Sequence, residues 1–543
     1  MRIGLDLGSS SAKAIVIDGR GRTVSLERRR VGTRRRADGR VEHDAEEIWR
    51  ACRAVLRRAI VAAGGGLGGR DPSARTDRRP PIRLGIATQR STVLFWDAAS
   101  GRPLTPAYSW QDLRGEPQCR RLLARRGRAG GPSGAPLQET IVARTGLRLS
   151  AHYSASKLAW ALAHVRGLAR RVAGGGALWG GLGSYLVWRL SGGALYAIDH
   201  ANAQRTLLFD LESFAWDPWL FELFGLRALV DAPALPALLP TGLGAGLPLH
   251  LEGHPLTLGA MTGDQQAALF GLRCRRRGDT IINYGSGAFV LKHSGGRPVR
   301  AHGLLTTLLW SGDGERHPGA GALYAVEGTV NAAATALAWA QHRLGLRIPV
   351  RGLDRVLGRD GDGGAARAVH FLPAVSGVAA PHWDPTARPR FVFTTPGRGA
   401  GGRLTTAGLA SSRIAPSGRG RTGALLRAVI EGIACRCAEI VRAAGHLPAD
   451  RARVQAAGGL TRCATLVQAQ ADLLQRPIEV NDAPDATALG AALLAGGAPR
   501  PANAPWGGAR HRSTGGHVVK PSITPAQARR RLRDWTRAVY GGR

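Results

Sequence analysis

The sequence predicts an α/β protein that is built from two sheet-centred domains. Two segments, residues 3–18 and 281–292, each consist of an apolar run, a Gly/Ser turn and a second apolar run. Such runs alternate with stretches of helical spacing, among them Ala45–Ala63. Alternating strands and helices are typical of α/β domains. At 543 residues the chain is long enough for two or more of them.

In the first half of the chain the pattern predicts a hairpin, further strands and three helices. The predicted elements are a β-hairpin at Met1–Asp18, a helix at Ala45–Ala63, strands within Ile82–Asp97, and helices at Ser154–Val165 and Gly181–Leu190. Surface loops rich in Gly, Pro or Arg are predicted at Gly64–Pro81 and Gly127–Pro136. Leu235–Pro255 is rich in Pro, Gly and Leu, and we expect it to link two lobes.

In the second half the pattern again alternates, and it ends in a tail. The predicted elements are helices at Glu327–Leu344, Gly423–Ala444 and Ala486–Ala495, a short run at Gln455–Gly459 with a helix from there through Leu474, and a flexible loop at Gly397–Gly420. After residue 496 the chain turns rich in Pro, Gly and Arg. We therefore expect an N-terminal lobe at 1–253, a C-terminal lobe at 254–496 and a peripheral basic tail at 497–543.

The chain is strongly basic, with a formal net charge of +37. Only four of its 75 basic residues are lysines, and the arginines are dispersed beside abundant Gly and Ala. A nucleic-acid binder would concentrate basic residues in patches with interleaved aromatics. This distribution indicates compositional bias and disfavours a nucleic-acid partner, although it favours attraction of anions such as ATP.

The cysteines and the hydropathy pattern predict a cytoplasmic protein. The six cysteines are scattered without zinc-ligand spacing, which argues against a disulfide framework. No run of about 18 apolar residues is present, so we expect no transmembrane helix and no membrane partner. No signal-peptide pattern is visible at the start of the chain.

The first Gly/Ser turn has the composition of a phosphate site. Backbone N–H groups and hydroxyls in such a turn can cradle phosphate oxygens. Asp6 lies two residues before Gly8, where a carboxylate could hold Mg²⁺ through water or could merely cap the turn. The presence of Ser9, Ser10 and Lys13 alongside favours the metal and phosphate interpretation.

A second candidate segment runs from Gly263 to Gly271. Asp264 is predicted to begin a helix, where an acidic residue can cap the first turn. It can equally act as a general base toward a substrate hydroxyl that attacks a γ-phosphate. The residues alone leave both open. Gly458-Gly459 follows an apolar run, and such a pair lets a nucleotide approach the backbone, although more often it forms a turn.

Taken in order, these motifs resemble those of the FGGY family of carbohydrate kinases, and most closely its glycerol kinase-like branch. The resemblance extends from residue 1 to about 496. It rests on Gly4-Leu5-Asp6-Leu7-Gly8-Ser9-Ser10-Ser11, Ala87-Thr88-Gln89-Arg90-Ser91-Thr92, Ser109-Trp110-Gln111-Asp112, Gly263-Asp264-Gln265-Gln266-Ala267-Ala268-Leu269-Phe270-Gly271, Tyr284-Gly285-Ser286-Gly287, Phe371-Leu372-Pro373-Ala374 and Thr487-Ala488-Leu489-Gly490-Ala491-Ala492.

The resemblance implies an actin-like, hexokinase-type (ribonuclease H-like) fold of two α/β lobes around a central cleft. It implies ATP and Mg²⁺ as cofactors and transfer of the γ-phosphoryl group to a small polyol or sugar. By resemblance Asp264 is the general base and Asp6 organises the metal. The implied nucleotide and phosphate contacts are Ser9, Ser10, Ser11, Lys13, Ser286, Gly287, Ala334, Gly459 and Cys463. The implied acceptor contacts are Arg90, Ser91, Trp110, His152, Asp264, Gln265 and Phe289.

The sequence departs from the glycerol kinase pattern at the acceptor. Ser91 stands where those enzymes have a Glu after the pocket Arg, and His152 stands where they have a Tyr. Because unpaired polar groups are costly, such changes alter which hydroxyls are accepted. Ala334, Ala338 and Cys463 replace Gly, Gln and Asn on the adenine side. We therefore expect an altered acceptor pocket.

Other functions stay open at this stage. A pentulose kinase of the xylulokinase type is disfavoured by Gln89-Arg90-Ser91, since those enzymes usually have a Met-His-Gly type segment there. A catalytically silent nucleotide-binding homologue is disfavoured by Asp264. The composition is compatible with a homo-oligomer.

Overall fold

Two antiparallel hairpins, at residues 2–17 and 280–295, each begin a large mixed sheet in the computed structural model. The structure describes residues 1–64, 81–124, 135–231, 235–312, 319–358, 369–394, 419–445, 452–481, 485–497 and 516–541. The loops predicted at 64–81, 127–136 and 397–420 lie almost entirely outside these ranges.

The elements alternate as the sequence pattern predicts. The strands of the first half are β1 (Arg2–Leu7), β2 (Ser11–Ile17), β3 (Thr23–Arg30), β4 (Arg34–Arg35), β5 (Val41–His43), β6 (Ile82–Thr88), β7 (Val93–Asp97), β8 (Ala107–Tyr108), β9 (Ala177–Gly181), β10 (Ala197–Asp199), β11 (Phe209–Asp210), β12 (Ala215–Trp216), β13 (Ala237–Leu239), β14 (Gly242–Leu251) and β15 (His254–Gly263). The helices are α1 (Ala45–Ala62), α2 (Glu116–Ala124), α3 (Leu137–Thr145), α4 (Ser154–His164), α5 (Leu168–Ala173), α6 (Leu182–Leu190), α7 (His200–Gln204), α8 (Pro218–Leu223), α9 (Arg227–Val230) and α10 (Asp264–Gly271).

The second half continues the alternation. Its strands are β16 (Thr280–Tyr284), β17 (Ala288–Gly295), β18 (Leu305–Trp310), β19 (Leu323–Val330), β20 (Val369–Leu372), β21 (Arg390–Phe393), β22 (Val454–Ala457), β23 (Ile478–Val480) and β24 (Val518–Val519). Its helices are α11 (Ala334–Arg343), α12 (Leu353–Leu357), α13 (Arg419–Ala443), α14 (Ala464–Leu474), α15 (Ala486–Leu494) and α16 (Pro525–Tyr540).

The first large sheet has the order β14-β15-β6-β1-β2-β3. Strands β1, β2 and β3 form an antiparallel meander, whereas β6 lies parallel to both β1 and β15. Residues 3–7 of β1 are all buried, as expected of a strand covered by helices on both faces. Helix α1 covers one face with Ile48, Cys52 and Leu56, and the carboxylate of Asp44 caps its N-terminus.

The second large sheet repeats this plan, with the order β18-β19-β17-β16-β22-β23-β24. Strand β17 pairs antiparallel with both β16 and β19, and β22 lies parallel to both β16 and β23. The edge strands correspond as well, because β14 pairs antiparallel with β15 and β24 pairs antiparallel with β23. The predicted two-lobe α/β architecture is therefore confirmed.

The linker predicted at Leu235–Pro255 is wrong. Most of this segment forms strands β13 and β14, and its last two residues begin β15, which pairs with β6 in the first sheet. The lobe boundary expected at 253/254 consequently falls inside a β-hairpin. Gly and Pro favour loops on propensity alone, but pairing along β15 overrides that preference in a solvent-facing edge strand.

Two helices, α10 and α15, each follow one large sheet in sequence but pack against the other. Helix α10 follows the first sheet in sequence, but Leu269 and Phe270 pack with Ile281 and Leu291 of the second sheet. Helix α15 follows the second sheet, but it packs on the first with Ala488 and other small residues. Close approach depends on glycine, because a Cβ at Gly4 or Gly85 would lie 2.0 Å from a helix carbonyl oxygen.

The tail predicted to be peripheral is an integral part of the second lobe. Strand β24 adds to the edge of the second sheet, and Leu532, Trp535 and Val539 of α16 are buried in its core. The indole N–H of Trp535 donates to the Phe371 carbonyl at 3.0 Å. Thr524 closes a capping box, and Pro525 occupies the first turn.

The cysteines and hydropathy agree with the sequence expectations within the described residues. All six cysteines lie there as buried free thiols. Among the described helices, none is both long and apolar enough to cross a bilayer.

Candidate active site

Three parallel strands of the first sheet end at one edge, and the predicted catalytic residues meet there. In register, Asp6 of β1 lies beside Ala87 of β6, and Ala87 lies beside Thr262 of β15. Asp264 begins α10 directly after β15, and Arg90 follows β6. Since carboxyl ends of parallel strands share one edge, Asp6, Arg90 and Asp264 are brought to the same side of the cleft.

Asp6 shares a lysine with a carboxylate from the other half of the chain. Lys13 Nζ lies 3.5 Å from Asp6 Oδ2 and 3.3 Å from Asp485 Oδ1. Asp485 stands at the cap position of α15 but its side chain makes no capping hydrogen bond to the helix. Burial raises the pKa of Asp6 to about 6; Lys13 opposes the rise, and Asp264 and Asp485 add to it. Asp6 is thus a strained carboxylate that a cation would stabilise.

The first Gly/Ser turn spans residues 8–11 and places its three serines differently. The Gly8 N–H donates to the Ser11 carbonyl at 3.0 Å, which closes the turn. Ser9 Oγ donates to Gln89 Oε1 at 2.7 Å and accepts from the Trp110 indole N–H at 3.2 Å. Ser10 is exposed, whereas Ser11 is buried at the start of β2. Only Ser10 is fully open toward solvent.

Asp264 occupies the first turn of α10 without capping it. The cap is Gly263, and Asp264 Oδ1 accepts from the N–H of the adjacent Gln265 at 2.8 Å. Arg90 Nε lies 3.6 Å from the same oxygen. Burial raises the pKa of Asp264, and Arg90 opposes that rise. About 25 % of its side chain is exposed, so a hydroxyl can reach the carboxylate.

Arg90 is held by a buried carboxylate from the second lobe. Its Nη1 and Nη2 donate to Glu327 Oε2 and Oε1 at 2.7 and 3.0 Å. Glu327 Oε2 also accepts from Arg205 Nη2 at 2.6 Å and from Thr307 Oγ1 at 2.8 Å. Glu327, on β19, therefore joins two arginines of the first lobe. The two guanidinium groups hold its pKa below its usual range against the effect of burial.

Three rings line the cleft beside Asp264 and Arg90. The Trp110 ring centroid lies 5.2 Å from that of His152 and 6.4 Å from that of Phe289. Phe289 comes from β17, so the second lobe completes this wall. The pKa of His152 is lowered to about 3, mainly by burial and also by the nearby cations Lys157 and Arg90. His152 is consequently a neutral imidazole at physiological pH.

Two polar atoms at this end of the cleft are unsatisfied. Ser91 Oγ and Gln265 Oε1 are buried, and neither has a hydrogen-bond partner among the residues that the structure describes. Ser91 also adopts a φ of 62°, a left-handed conformation that is unusual for serine. Buried polar atoms without partners are costly, and strained residues cluster at functional sites.

The second Gly turn is held by hydrogen bonds among its own backbone groups and those at the start of α11. The Gly285 N–H donates to the Gly287 carbonyl at 2.8 Å, and Ser286 is exposed. The Ser286 carbonyl accepts from Ala333 N at 2.8 Å, which attaches the turn to the start of α11. Ala334 N donates to the Gly285 carbonyl at 3.2 Å. These hydrogen bonds hold the turn that contains Ser286 and Gly287 against the start of α11, where Ala334 lies.

The loop after β22 contains the Gly458-Gly459 pair and ends at Cys463. It has free space at Gly459, whereas Cys463 is buried. Gly458 has a φ of 102°, and a Cβ there would lie 2.3 Å from the Tyr284 carbonyl oxygen. A Cβ at Gly459 would meet nothing within 4 Å. Cys463 is buried, and its Sγ lies 3.5 Å from Asp354 Oδ1, which caps α14. The structure therefore places Gly459, and not the Cys463 side chain, toward open space.

The donor set fits Mg²⁺ carried by a nucleotide rather than a dedicated metal cage. Within the described ranges, no group of three or more His, Cys, Asp or Glu residues could hold a metal ion. Mg²⁺ in phosphoryl-transfer sites keeps several waters and uses one or two carboxylates plus phosphates. Asp6, with its raised pKa and its place beside an open turn, suits that role.

Comparison with known protein families agrees with this geometry. Residues 1–271 match the N-terminal domain, and residues 280–498 the C-terminal domain, of the FGGY family of carbohydrate kinases. The chain belongs to this family. FGGY kinases are ATP-dependent phosphotransferases, so the chain is an ATP-dependent carbohydrate kinase.

Relatives with a high share of aligned residues are glycerol kinases. The chain is 36% identical to the glycerol kinase of Thermus brockianus, over 91% of this chain and 89% of that protein. It is 33% identical to the glycerol kinase of Halorhodospira halophila, over 99% and 95% of the two chains. The alignments with these two glycerol kinases therefore cover 91% and 99% of this FGGY kinase.

Solved structures of the same fold include two kinds of kinase. Glycerol kinase from Plasmodium falciparum with ADP matches with a TM-score of 0.75 at 22% identity, covering 99% of this chain and 97% of that one. Xylulose kinase from Rhodospirillum rubrum matches with a TM-score of 0.72 at 23% identity, covering 100% and 98%. At these identities the matches establish the two-lobed fold only.

Sequence reasoning missed Glu327, Arg205 and Asp485. The helix predicted at Glu327–Leu344 begins only at Ala334, and Glu327 lies on strand β19. It is the one charged residue of the apolar run Leu323–Val330, a signal that could have indicated an ionic partner because burying a lone carboxylate is costly. Arg205 had no comparable signal among 75 basic residues. Asp485 precedes the predicted helix at Ala486–Ala495, and its pairing with Lys13 depends on how α15 packs on the first sheet, so no local pattern indicates it.

Proposed function

We propose that this FGGY kinase transfers the γ-phosphoryl group of Mg²⁺-ATP to a hydroxyl of a small polyol, with Asp264 as the general base. The supporting observation is that Asp264 Oδ1 lies 3.6 Å from Arg90 Nε at the mouth of the cleft, with the side chain partly exposed. A hydroxyl bound between these groups can give its proton to the carboxylate as it attacks phosphorus. A raised pKa makes Asp264 a better base than a free aspartate.

The nucleotide phosphates bind between the two Gly turns. The turns at residues 8–11 and 285–287 each expose a serine hydroxyl, at Ser10 and Ser286, and turns of this composition can cradle phosphate oxygens. Asp6 would hold the Mg²⁺, and Lys13 would balance part of the phosphate charge. Mg²⁺ supplies charge neutralisation in the transition state. The free space at Gly459 lets the nucleoside approach the backbone there. The buried Cys463 holds the end of the same loop through its contact with Asp354.

The acceptor lies against Trp110, His152 and Phe289, beside Ser91 and Gln265. Aromatic faces bind the carbon skeleton, and the unsatisfied Ser91 Oγ and Gln265 Oε1 bind hydroxyls. Serine in place of a carboxylate after Arg90 leaves a shorter side chain and one less negative charge. We expect glycerol to be accepted together with somewhat larger polyols, such as erythritol.

The free thiols are consistent with a cytoplasmic enzyme. The six free cysteines lie buried without disulfides, which suits a reducing compartment.

A pentulose kinase is the second candidate, and a substrate panel separates the two. Fold similarity to xylulose kinases covers the whole chain but shows no substrate. Purified enzyme is supplied with Mg²⁺-ATP and glycerol, erythritol, xylulose or ribulose, and ADP release is measured. Turnover highest with glycerol or erythritol supports the proposal. A preference for a pentulose favours the alternative, and no acceptor-dependent turnover contradicts both.

A further inference from the structure

Two buried charged residues, Glu327 and Arg205, lie next to Arg90 behind the proposed acceptor site. Their side chains are only 2% and 1% exposed. Glu327 belongs to strand β19 of the second lobe, and Arg205 follows α7 of the first. Neither residue reaches solvent, so both act through the groups they contact.

Glu327 fixes the rotation of the Arg90 guanidinium. Both terminal nitrogens of Arg90 donate to the two carboxylate oxygens of Glu327, at 2.7 and 3.0 Å. A bidentate pair of this kind holds the planar group in one orientation. The remaining edge, with Nε, faces Asp264 Oδ1 at 3.6 Å. Arg90 can therefore present Nε–H and not its fork to a ligand near Asp264.

Arg205 and Thr307 hold Glu327 in turn. Arg205 Nη2 and Thr307 Oγ1 donate to Glu327 Oε2 at 2.6 and 2.8 Å. With two guanidinium groups on one carboxylate, loss of that carboxylate would leave two buried like charges facing each other. The cluster spans both lobes, because Glu327 and Thr307 lie on the second sheet while Arg90 and Arg205 come from the first half.

We infer that Glu327, supported by Arg205, is a positioning residue that turns Arg90 Nε–H toward the acceptor hydroxyl beside Asp264. This inference rests on the proposed function, since it assigns Arg90 to the acceptor. It makes acceptor binding depend on contact between the lobes. ATP binding, which uses the two Gly turns, does not depend on the cluster.

The test compares E327Q with a matched control, E439Q. Glu439 also pairs with a buried arginine, Arg436, but lies on α13 beside Tyr540 of the C-terminal helix. With glycerol as the probe acceptor, we expect E327Q to raise the KM for glycerol about tenfold or more and the KM for ATP by less than about threefold. E439Q should leave both within about twofold of wild type.

A double-mutant cycle distinguishes positioning from loss of packing. If Glu327 acts through Arg90, adding E327Q to R90A should lower kcat/KM for glycerol by less than about twofold. Additive losses, or equal increases in both KM values for E327Q, would overturn the inference. If E327Q fails to fold, the double variant E327Q/R205M is used in its place in the same comparisons. This variant removes one charge of each sign and so leaves no extra buried positive charge.

Crystal structures keep the inference separate from the proposed function. If wild-type enzyme turns over no acceptor of the panel, the proposed function fails, and the structure of E327Q still decides the positioning role. An Arg90 guanidinium rotated away from Asp264 in that variant supports the inference. An Arg90 that keeps its wild-type orientation without the Glu327 carboxylate contradicts it.

Discussion

The two Gly-turn hairpins have the same place in their sheets but different chemistry. In the first, Asp6 lies two residues before Gly8 and is paired in register with Lys13. In the second, Asn283 lies two residues before Gly285 and is paired in register with Phe289. One hairpin thus presents a carboxylate and an ammonium, and the other presents an amide and an aromatic ring that faces Trp110.

This difference divides the work between the lobes. The first lobe supplies the charges that we assign to metal, phosphate and base, at Asp6, Lys13 and Asp264. The second lobe supplies backbone N–H groups, a hydroxyl and the Phe289 wall. Phosphoryl transfer depends on positioned charge and on the orientation of the reacting groups. Substitutions at equivalent positions in the two lobes should therefore have unequal effects.

The largest effect is expected at Asp264, on the charged side. Asp264→Asn removes the base but keeps the size of the side chain, so kcat should fall by about 10²–10⁴. The affinity for ATP, measured by calorimetry, should change little, because the nucleotide contacts lie in the turns. Turnover near the wild-type level would remove Asp264 from the role of base.

The next largest effect is expected on stability, and it concerns the edge strands β14 and β24 of the two large sheets. The first sheet is completed by β14 from within its own lobe, whereas the second takes β24 and α16 from the end of the chain. Trp535 is 2% exposed, so Trp535→Ala should lower the free energy of unfolding by about 3–5 kcal/mol. Chemical denaturation measures this loss, and kcat below the melting temperature should stay near wild type. An unchanged midpoint would make the tail dispensable.

The equivalent pair Asp6 and Asn283 tests the division between the lobes directly. Asp6→Asn should reduce kcat/KM for ATP about a hundredfold, since loss of a metal-organising charge costs several kcal/mol in transition-state stabilisation. Asn283→Ala should cost less than about tenfold. Both are measured over a Mg²⁺ titration. Equal losses would mean that the two hairpins contribute alike.

The smallest effect is a gain in stability. The folded pKa of Asp6 is about 6 against 3.8 in the unfolded chain, so folding disfavours its ionised form. Wild type therefore loses stability relative to Asp6→Asn as pH rises from about 4 to 6. Above pH 6 the metal- and nucleotide-free variant should be more stable, by at most about 3 kcal/mol. Parallel urea midpoints at pH 4 and 8 check this; a variant that is less stable at pH 8 would contradict it.

Local pattern was enough to predict the elements whose own residues determine them. The hairpin at residues 2–17 and helix α1 follow from apolar spacing and from Gly and Asp at their ends. Asp264 was predicted as a site residue because it lies at a strand-to-helix junction in a recognisable motif, and its role stays a prediction. The family assignment followed from the order of such motifs along the chain.

Features that depend on contacts distant in sequence were missed. Strand β14 is rich in Gly and Pro, and only its pairing with β15 makes it a strand. Helix α16 had a visible apolar spacing at Leu532, Trp535 and Val539, but its many arginines obscured that face. The Arg90–Glu327–Arg205 cluster joins residues 237 and 122 positions apart in sequence, which no local pattern can reveal.

A crystal structure with Mg²⁺ and a non-hydrolysable ATP analogue tests the central claim most directly. The account predicts the γ-phosphate between the turns at residues 8–11 and 285–287, with the metal joined through water to Asp6 and not to Asn283. It also predicts Asp264 facing the γ-phosphate across the acceptor space. A γ-phosphate bound outside the two turns, or a metal held from the second lobe, would contradict it.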